Sequence, residues 1–474
     1  MSQRTSRLLG IALALLLIAA LAAITVQMRK HLDDKVKIEP RTLSMPNDTL
    51  SSLKTLKLGY DEEVEAALVY LDEHWQPGYT VMLLECFRQD LLLRRREPVG
   101  KLLSKKTGQN FSVMNREGLF QWMQWVWNQP YVPAPEYVSF KRWLYSERDS
   151  HFAAYFPSPI KASIRLDEVV WGGVGQDGIP PLDHPPTVTA AEATYLDDSN
   201  IVFGIEIQGH ARAYPQRILG HHEMVRDRLG DMEIAGVYCT LCGTMIAYNA
   251  TVGDETFLLG TSGFLYRSNK LMYDGRTESL WSTLSGEPVL GELVDRGLKL
   301  SRIPIVNTTW GQWKKLHPAS TVLSIPPGDE VKYAEGRAYA EYFATDEVMF
   351  PVPSIDPQLA NKAEVLALHV PDGDERLAIS NDFLKDHPVF HENLGTIPIV
   401  VLTDAGGGNR VFESGAHRFT SLAGTKATDT HGAEWQVTES AMIGPDGVTL
   451  PRLPAHRAFW FGWQAAFPET RLVK

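Results

Sequence analysis

Three cysteines in 474 residues are too few for a disulfide framework, so the chain is not a small scaffold stapled by bridges. Positive charge is also scarce. The 46 Lys and Arg are outnumbered by 57 Asp and Glu, the net charge is −11, and the only dense basic run is Arg94-Arg95-Arg96. That balance argues against a surface that wraps phosphate backbones, and no nucleic-acid partner is expected. A dinucleotide-binding glycine fingerprint is missing, and Gly406-Gly407-Gly408 lacks the lysine and following helix of a phosphate loop, so it reads as a hairpin turn. No credible Ser-His-Asp arrangement is present either. What the chain has in quantity is apolar and aromatic mass, 44% and 10% of residues, enough to bury more than one core at this length.

Residues 8–26 form one long uncharged run between Arg4 and Arg7 on one side and Arg29 and Lys30 on the other. As a helix this run would cover about 28 Å, close to the hydrocarbon thickness. The expectation is an N-terminal membrane helix within residues 1–28, acting as a single-pass anchor with the globular part outside the cytoplasm. Ala20, Ala22 and Ala23 leave open a cleaved signal and a secreted or periplasmic product. Residues 29–58 read as a linker. Residues 59–160 read as a helical domain, because Val64, Ala67, Leu68 and Leu71, and again Leu119, Trp122, Met123 and Val126, recur on one helical face. This domain is the candidate surface for a protein partner. Beyond it the texture changes to short β-branched and aromatic runs punctuated by Gly, Pro and Asp, giving β-rich units at 165–325 and 326–474. The expected fold class is α+β: an N-terminal membrane helix, a small all-helical domain, then a β-rich region built from two similar units.

The two units share an internal repeat. Arg212, Leu219, His222, Leu229-Gly230, Ile234 and Val237 in one correspond to Arg376, Leu384, His387, Leu394-Gly395, Ile399 and Leu402 in the other, without a gap from Leu219 onward. Trp281 and Trp435 correspond further on. In this register Cys239 falls opposite Asp404 and Cys242 opposite Gly407. A framework residue should suit both copies, so a pair confined to one copy favours a special role, whereas His387 opposite His222 weakens His222 as a ligand.

Cys239-Thr240-Leu241-Cys242 is the sharpest chemical feature. Two intervening residues allow both sulfurs to reach one metal ion or to form a disulfide, and Gly243 can supply the positive φ of such a turn. Cys86, in a helical pattern with Leu84 and Phe87, reads as a buried apolar residue. One reading is soft-metal binding by Cys239, Cys242 and His222, with His221 and Met245 as further candidates and copper or zinc as the metal. Another is dithiol redox chemistry by the same pair, and a third is an envelope scaffold or assembly factor in which the pair is only structural. A zinc-dependent hydrolase would need three protein ligands and an open position. Whether the chain is an enzyme is left open. Tyr266, Arg267, Asn269, Asp274 and His456 offer donors and aromatic surface for a polar ligand, although hairpin turns produce similar mixtures.

Asp177-Gly178-Ile179-Pro180, Arg212-Ala213-Tyr214-Pro215, His222-Glu223, Tyr238-Cys239 with Leu241-Cys242-Gly243, Tyr266-Arg267-Ser268-Asn269, Met272-Tyr273-Asp274, Thr309-Trp310 and Phe459-Trp460 together resemble the bacterial family called domain of unknown function 3179. The resemblance covers about residues 165–474. Thr240 stands where the family commonly has Pro, and Arg226-Asp227 where it commonly has Asn-Asp. The resemblance implies a sequence family and no established activity.

Overall fold

The computed structural model describes residues 45–474, apart from 90, 91, 93, 94, 371, 372 and 374. Its described part forms two compact bodies, 45–73 and 74–474. The smaller one is a pair of helices, Thr49–Leu58 and Asp61–Glu73, packed on each other. The first begins in a capping box, with the Asp48 carboxylate accepting from the Ser51 backbone N–H at 2.7 Å.

No described helix is long and apolar enough to cross a membrane. The longest, Asp61–Glu73, has 13 residues and opens on three carboxylates. At about 1.5 Å per residue it covers roughly 20 Å, short of the roughly 30 Å of a bilayer core. The expected fold class is corrected accordingly: the described chain is a β-rich α+β fold without a membrane helix. The hydrophobic run 8–26 lies outside the described residues.

The larger body opens with the helices Tyr79–Arg88, Arg96–Thr107, Arg116–Trp127, Tyr137–Ser146 and Phe152–Tyr155. A buried charge ties them to the strands that follow. Lys141 Nζ donates to Glu85 at 2.8 Å and to the Val169 carbonyl at 2.9 Å, and Tyr145 donates to the same carboxylate at 3.0 Å. Around Phe264, on the strand Leu259–Tyr266, stand the rings of Tyr145, Phe152, Tyr155 and Phe156 at centroid distances of 4.8–5.9 Å. The helices thereby brace one wall of the site described below.

Two four-strand arrangements have the same connectivity. Ile201–Ile207 pairs antiparallel with His210–Pro215 and Val306–Thr309, and Thr321–Leu323 runs parallel to His210–Pro215. Glu364–His369 likewise pairs antiparallel with Arg376–Ser380 and His456–Phe459, and Arg471–Val473 runs parallel to Arg376–Ser380. A short helix follows in each, Gln216–His222 and Asn381–Asp386, and then a hairpin in which Met224 faces Val237 in one copy and Val389 faces Leu402 in the other.

The strand Met232–Cys239 has no polar face from Ile234 onward because both of its sides are covered. Ala235 and Val237 enter a core with Trp281, Trp460 and Trp463, while Ile234 and Tyr238 enter another with Phe203 and Tyr214. The first of these cores draws residues from both repeated units, which fixes the end of the chain against the strand that carries Cys239.

Candidate functional site: a buried thiol pair beside a lysine–glutamate pair

The hairpin of Met232–Cys239 and Thr244–Asn249 turns over residues 240–243, with Cys239 opposite Thr244. The Cys242 N–H donates to the Cys239 carbonyl at 3.2 Å, and the Gly243 N–H to that of Thr240 at 3.4 Å. Gly243 has φ of +59°, and a Cβ there would lie 2.8 Å from the Phe459 ring, so both conformation and space demand glycine. The distant end of the chain seats this turn: the Phe459 N–H donates to the Cys242 carbonyl at 2.7 Å, and a Cβ on Gly462 would lie 2.9 Å from Cys242 Sγ.

Both thiols are reduced and buried. The Sγ atoms of Cys242 and Cys239 lie 3.0 and 4.0 Å from the Ser268 carbonyl oxygen. That carbonyl sits in a two-residue hairpin turn, Arg267-Ser268, in which both residues have positive φ, +50° and +63°. Neither is Gly or Asn, so the turn is strained and must be held from outside. Arg267 pairs with Glu168 and donates to the Ala465 carbonyl at 3.1 Å, Ser268 Oγ donates to the Phe350 carbonyl at 3.0 Å, and Asn269 donates to the Gly462 carbonyl at 2.9 Å.

The two thiols differ electrostatically. A hydrogen bond from Cys242 lowers the pKa of Cys239, outweighing its burial, and the positive charge and backbone N–H of Lys270 add to the effect. Burial raises the pKa of Cys242, reinforced by its interaction with Cys239. Cys239 is therefore the more acidic of the two thiols, and Cys242 the one that holds its proton more firmly.

Cys239 opens onto a cavity of about 60 Å³ walled by Phe264, Leu265 and Phe350 and floored by Glu223, Thr240 and Lys270. Cys242 is not among its lining residues. Glu223 ends the helix Gln216–His222 in the left-handed conformation, φ +56°, an unusual setting for a glutamate that turns its side chain toward the thiols' turn. Its carboxylate pairs with Lys270 and accepts from Thr240 at 2.6 Å and Tyr339 at 2.7 Å. Burial opposes its ionisation, but Lys270 and the two hydroxyl donors hold its pKa below the ordinary carboxylate value. The result is a buried ion pair lining the same cavity as the more acidic thiol.

The sequence candidates separate on this geometry. His222 is engaged away from the thiols, Nδ1 against the Pro180 carbonyl at 2.9 Å and Nε2 against the Tyr333 hydroxyl at 2.7 Å. Burial lowers its pKa, so it stays neutral. His221 packs edge-on against Tyr333, and Met245 lies in the core with Phe203 and Tyr238. Among the described residues no group of three or more His, Cys, Asp or Glu is disposed to hold a metal ion. The soft-metal set of Cys239, Cys242 and His222 is thus not assembled, and neither is the three-ligand centre of a zinc hydrolase. Tyr266 stacks on the Arg267 guanidinium, 5.2 Å from its ring centroid. Asp274 spends its carboxylate on the turn after it, accepting from Thr277 N–H at 2.8 Å and from Trp281 at 3.3 Å. His456 is buried against Trp463. Cys86 is buried in the helical region.

Lys270 escaped the sequence reading. It follows Asn269 directly, and the signal that points to it is a lysine next to Leu271 and Met272 in Asn269–Asp274, a strand buried at every position.

Residues 176–470 match the family described as "Protein of unknown function (DUF3179)", and the chain belongs to it. No curated protein and no solved structure matches the chain.

Proposed function

We propose that this member of a family without an assigned activity is a dithiol redox protein, in which Cys239 and Cys242 cycle between two thiols and a disulfide. The observation that carries the reading is the pairing of unlike thiols in one turn, a more acidic Cys239 that lines a cavity and a less acidic, buried Cys242 that does not. Oxidation of Cys239 by an incoming partner leaves an electrophilic sulfur, and Cys242 displaces the adduct to close the disulfide. Lys270 stabilises the attacking thiolate, and Glu223 holds Lys270 in place. An extracytoplasmic site is part of the proposal. It rests on the hydrophobic run 8–26 and its basic flanks, where an oxidised pair could persist.

Equilibration in thiol–disulfide buffers, followed by alkylation and mass spectrometry, tests this. A Cys239–Cys242 disulfide with a defined midpoint potential is the expected result, and thiols that stay reduced in the most oxidising buffer would sink the reading. A second reading has one specific observation behind it: Cys239, Lys270 and Glu223 share a cavity, which is also a nucleophile, cation and base suited to acyl transfer through a thioester. Cys242→Ser discriminates the two, since acyl transfer survives it and disulfide cycling does not.

A further inference from the structure

The dithiol proposal leaves open what oxidises Cys239, and the shape of the site constrains the choice. Cys239 is only 2% exposed, and the cavity in front of it measures about 60 Å³. Pockets for drug-sized ligands run from about 300 to 1,000 Å³, and a buried water needs roughly 10–15 Å³. The cavity therefore admits a molecule of a few heavy atoms. A protein disulfide cannot reach the sulfur. Segment 339–350 covers the approach and is tied down on three sides: Tyr339 to Glu223 at 2.7 Å, Tyr342 to the Leu241 carbonyl at 2.8 Å, and the Phe350 carbonyl to Ser268 Oγ at 3.0 Å. The walls are largely apolar, and Glu223, Thr240, Thr261, Lys270 and Tyr339 supply the polar part of the lining.

Resting on the dithiol reading, we infer that the oxidant is a small hydroperoxide, hydrogen peroxide foremost, reduced in this cavity by Cys239. The Cys239 thiolate attacks one peroxide oxygen, the O–O bond breaks, and an S–O bond forms, giving a sulfenic acid. The departing hydroxide takes a proton from the Lys270 ammonium and leaves as water. Cys242 then attacks the Cys239 sulfur, its own proton leaving with the sulfenic hydroxyl as a second water, and Lys270 regains a proton from solvent. Two electrons pass from the two sulfurs to the O–O bond, and a low-molecular-weight thiol would return the pair to the reduced state. Arrangement and chemistry agree: Cys239 and Lys270 line one cavity, and the Cys242 thiol is buried outside its lining.

The test uses the full, pre-reduced chain, mixed with hydrogen peroxide or cumene hydroperoxide and quenched by alkylation for mass spectrometry, with free glutathione as the reference thiol. Hydrogen peroxide should close the Cys239–Cys242 disulfide about 100-fold faster than it oxidises glutathione, as expected of an activated thiolate. Cumene hydroperoxide should lag by about tenfold or more, because it exceeds the cavity. Phe350→Ala should narrow that gap, and Cys242→Ser should leave a sulfenic acid at Cys239 that dimedone traps once the quenched chain is unfolded. A wild-type rate no greater than that of glutathione overturns the inference. Should prolonged oxidised dithiothreitol still close the disulfide in that case, the dithiol reading stands and only the peroxide is lost. Should neither oxidant close it, both fall. Equal rates with the two hydroperoxides reject selection by the cavity.

Discussion

The turn that carries the thiols and the turn at the matching place in the second unit occupy the same position after the same strand, yet they are held together in opposite ways. In the second, Asp404 takes the place of Cys239. One of its oxygens accepts from the Gly406 and Gly408 N–H groups at 2.9 and 2.8 Å, and the other from Arg410 at 2.7 Å. Arg410 continues to Glu439, which also pairs with Arg452 and lies 3.2 Å from His317. Both oxygens of the Asp404 carboxylate are committed to holding that turn. In the first turn the same corner is a thiol facing a cavity, and the holding is done by neighbours, Phe459, Gly462 and the strained Arg267-Ser268 turn. Glu223 has Pro388 at its matching place, whereas Asp274 and Asp429 both accept from an indole, Trp281 and Trp435. Framework groups are shared between the units and the reactive ones are not.

This contrast is most easily broken in the second turn. Arg410→Met leaves the Asp404 carboxylate without its charge partner and Glu439 with one fewer. A loss of about 3–5 kcal/mol in denaturant unfolding is expected for breaking such a buried pair. A loss under about 1 kcal/mol would mean that the charges do not hold the turn. Next in size is Gly462→Ala. Its methyl group must displace Cys242 Sγ from 2.9 Å, at a cost of about 1–3 kcal/mol, and should slow the chemistry of the thiols as well. Unchanged stability with normal thiol reactivity would show that the helix Trp460–Ala466, which carries Gly462, does not seat the first turn.

Acid should separate the units more gently. Burial disfavours the charged form of Glu439, but Arg452 and Arg410 hold its pKa below the ordinary range. The unfolded carboxylate takes up a proton near pH 4.3 while the folded one stays ionised, so its stabilisation is complete above that pH and is lost as pH falls toward the folded pKa. The expected slope below pH 4 is about 1.4 kcal/mol per pH unit for this group. Denaturation series at pH 5, 4 and 3 should show a shallower decline in Glu439→Gln than in the wild type, and equal slopes would remove Glu439 from the account.

Much of this contrast was legible from residue types alone. The repeat register placed Asp404 opposite Cys239, and the short β-branched and aromatic runs marked both units as β-rich. The site was only half legible. Lys270 and Glu223 lie 47 positions apart, and a buried ion pair leaves no spacing pattern, because each partner answers to its own strand or helix end. His222 was drawn toward the thiols by its place in the sequence beside Glu223, but Glu223 turns one way in the left-handed conformation and His222 the other, toward Tyr333. The membrane helix expected from residues 8–26 finds no counterpart among the described helices.

The smallest expected effect is on stability at the thiols themselves, and it is the most discriminating. If the first turn is held by its neighbours, Cys239→Ser and Cys242→Ala should each cost no more than about 1 kcal/mol, the range of a weak thiol hydrogen bond rather than a structural bridge. Reactivity should change where stability does not. Alkylation of wild-type Cys239 by iodoacetamide should rise with pH through a midpoint below the ordinary thiol value of about 8.5, and Cys242→Ala should move that midpoint upward, because the Cys242 hydrogen bond is the first cause of the shift. A midpoint that stays in place in Cys242→Ala and climbs in Lys270→Met would transfer the activation of Cys239 to the lysine. In that event the pair of cysteines would matter for closing the disulfide and not for making the thiolate, and the reading in which Cys239, Lys270 and Glu223 act without Cys242 would gain the stronger footing.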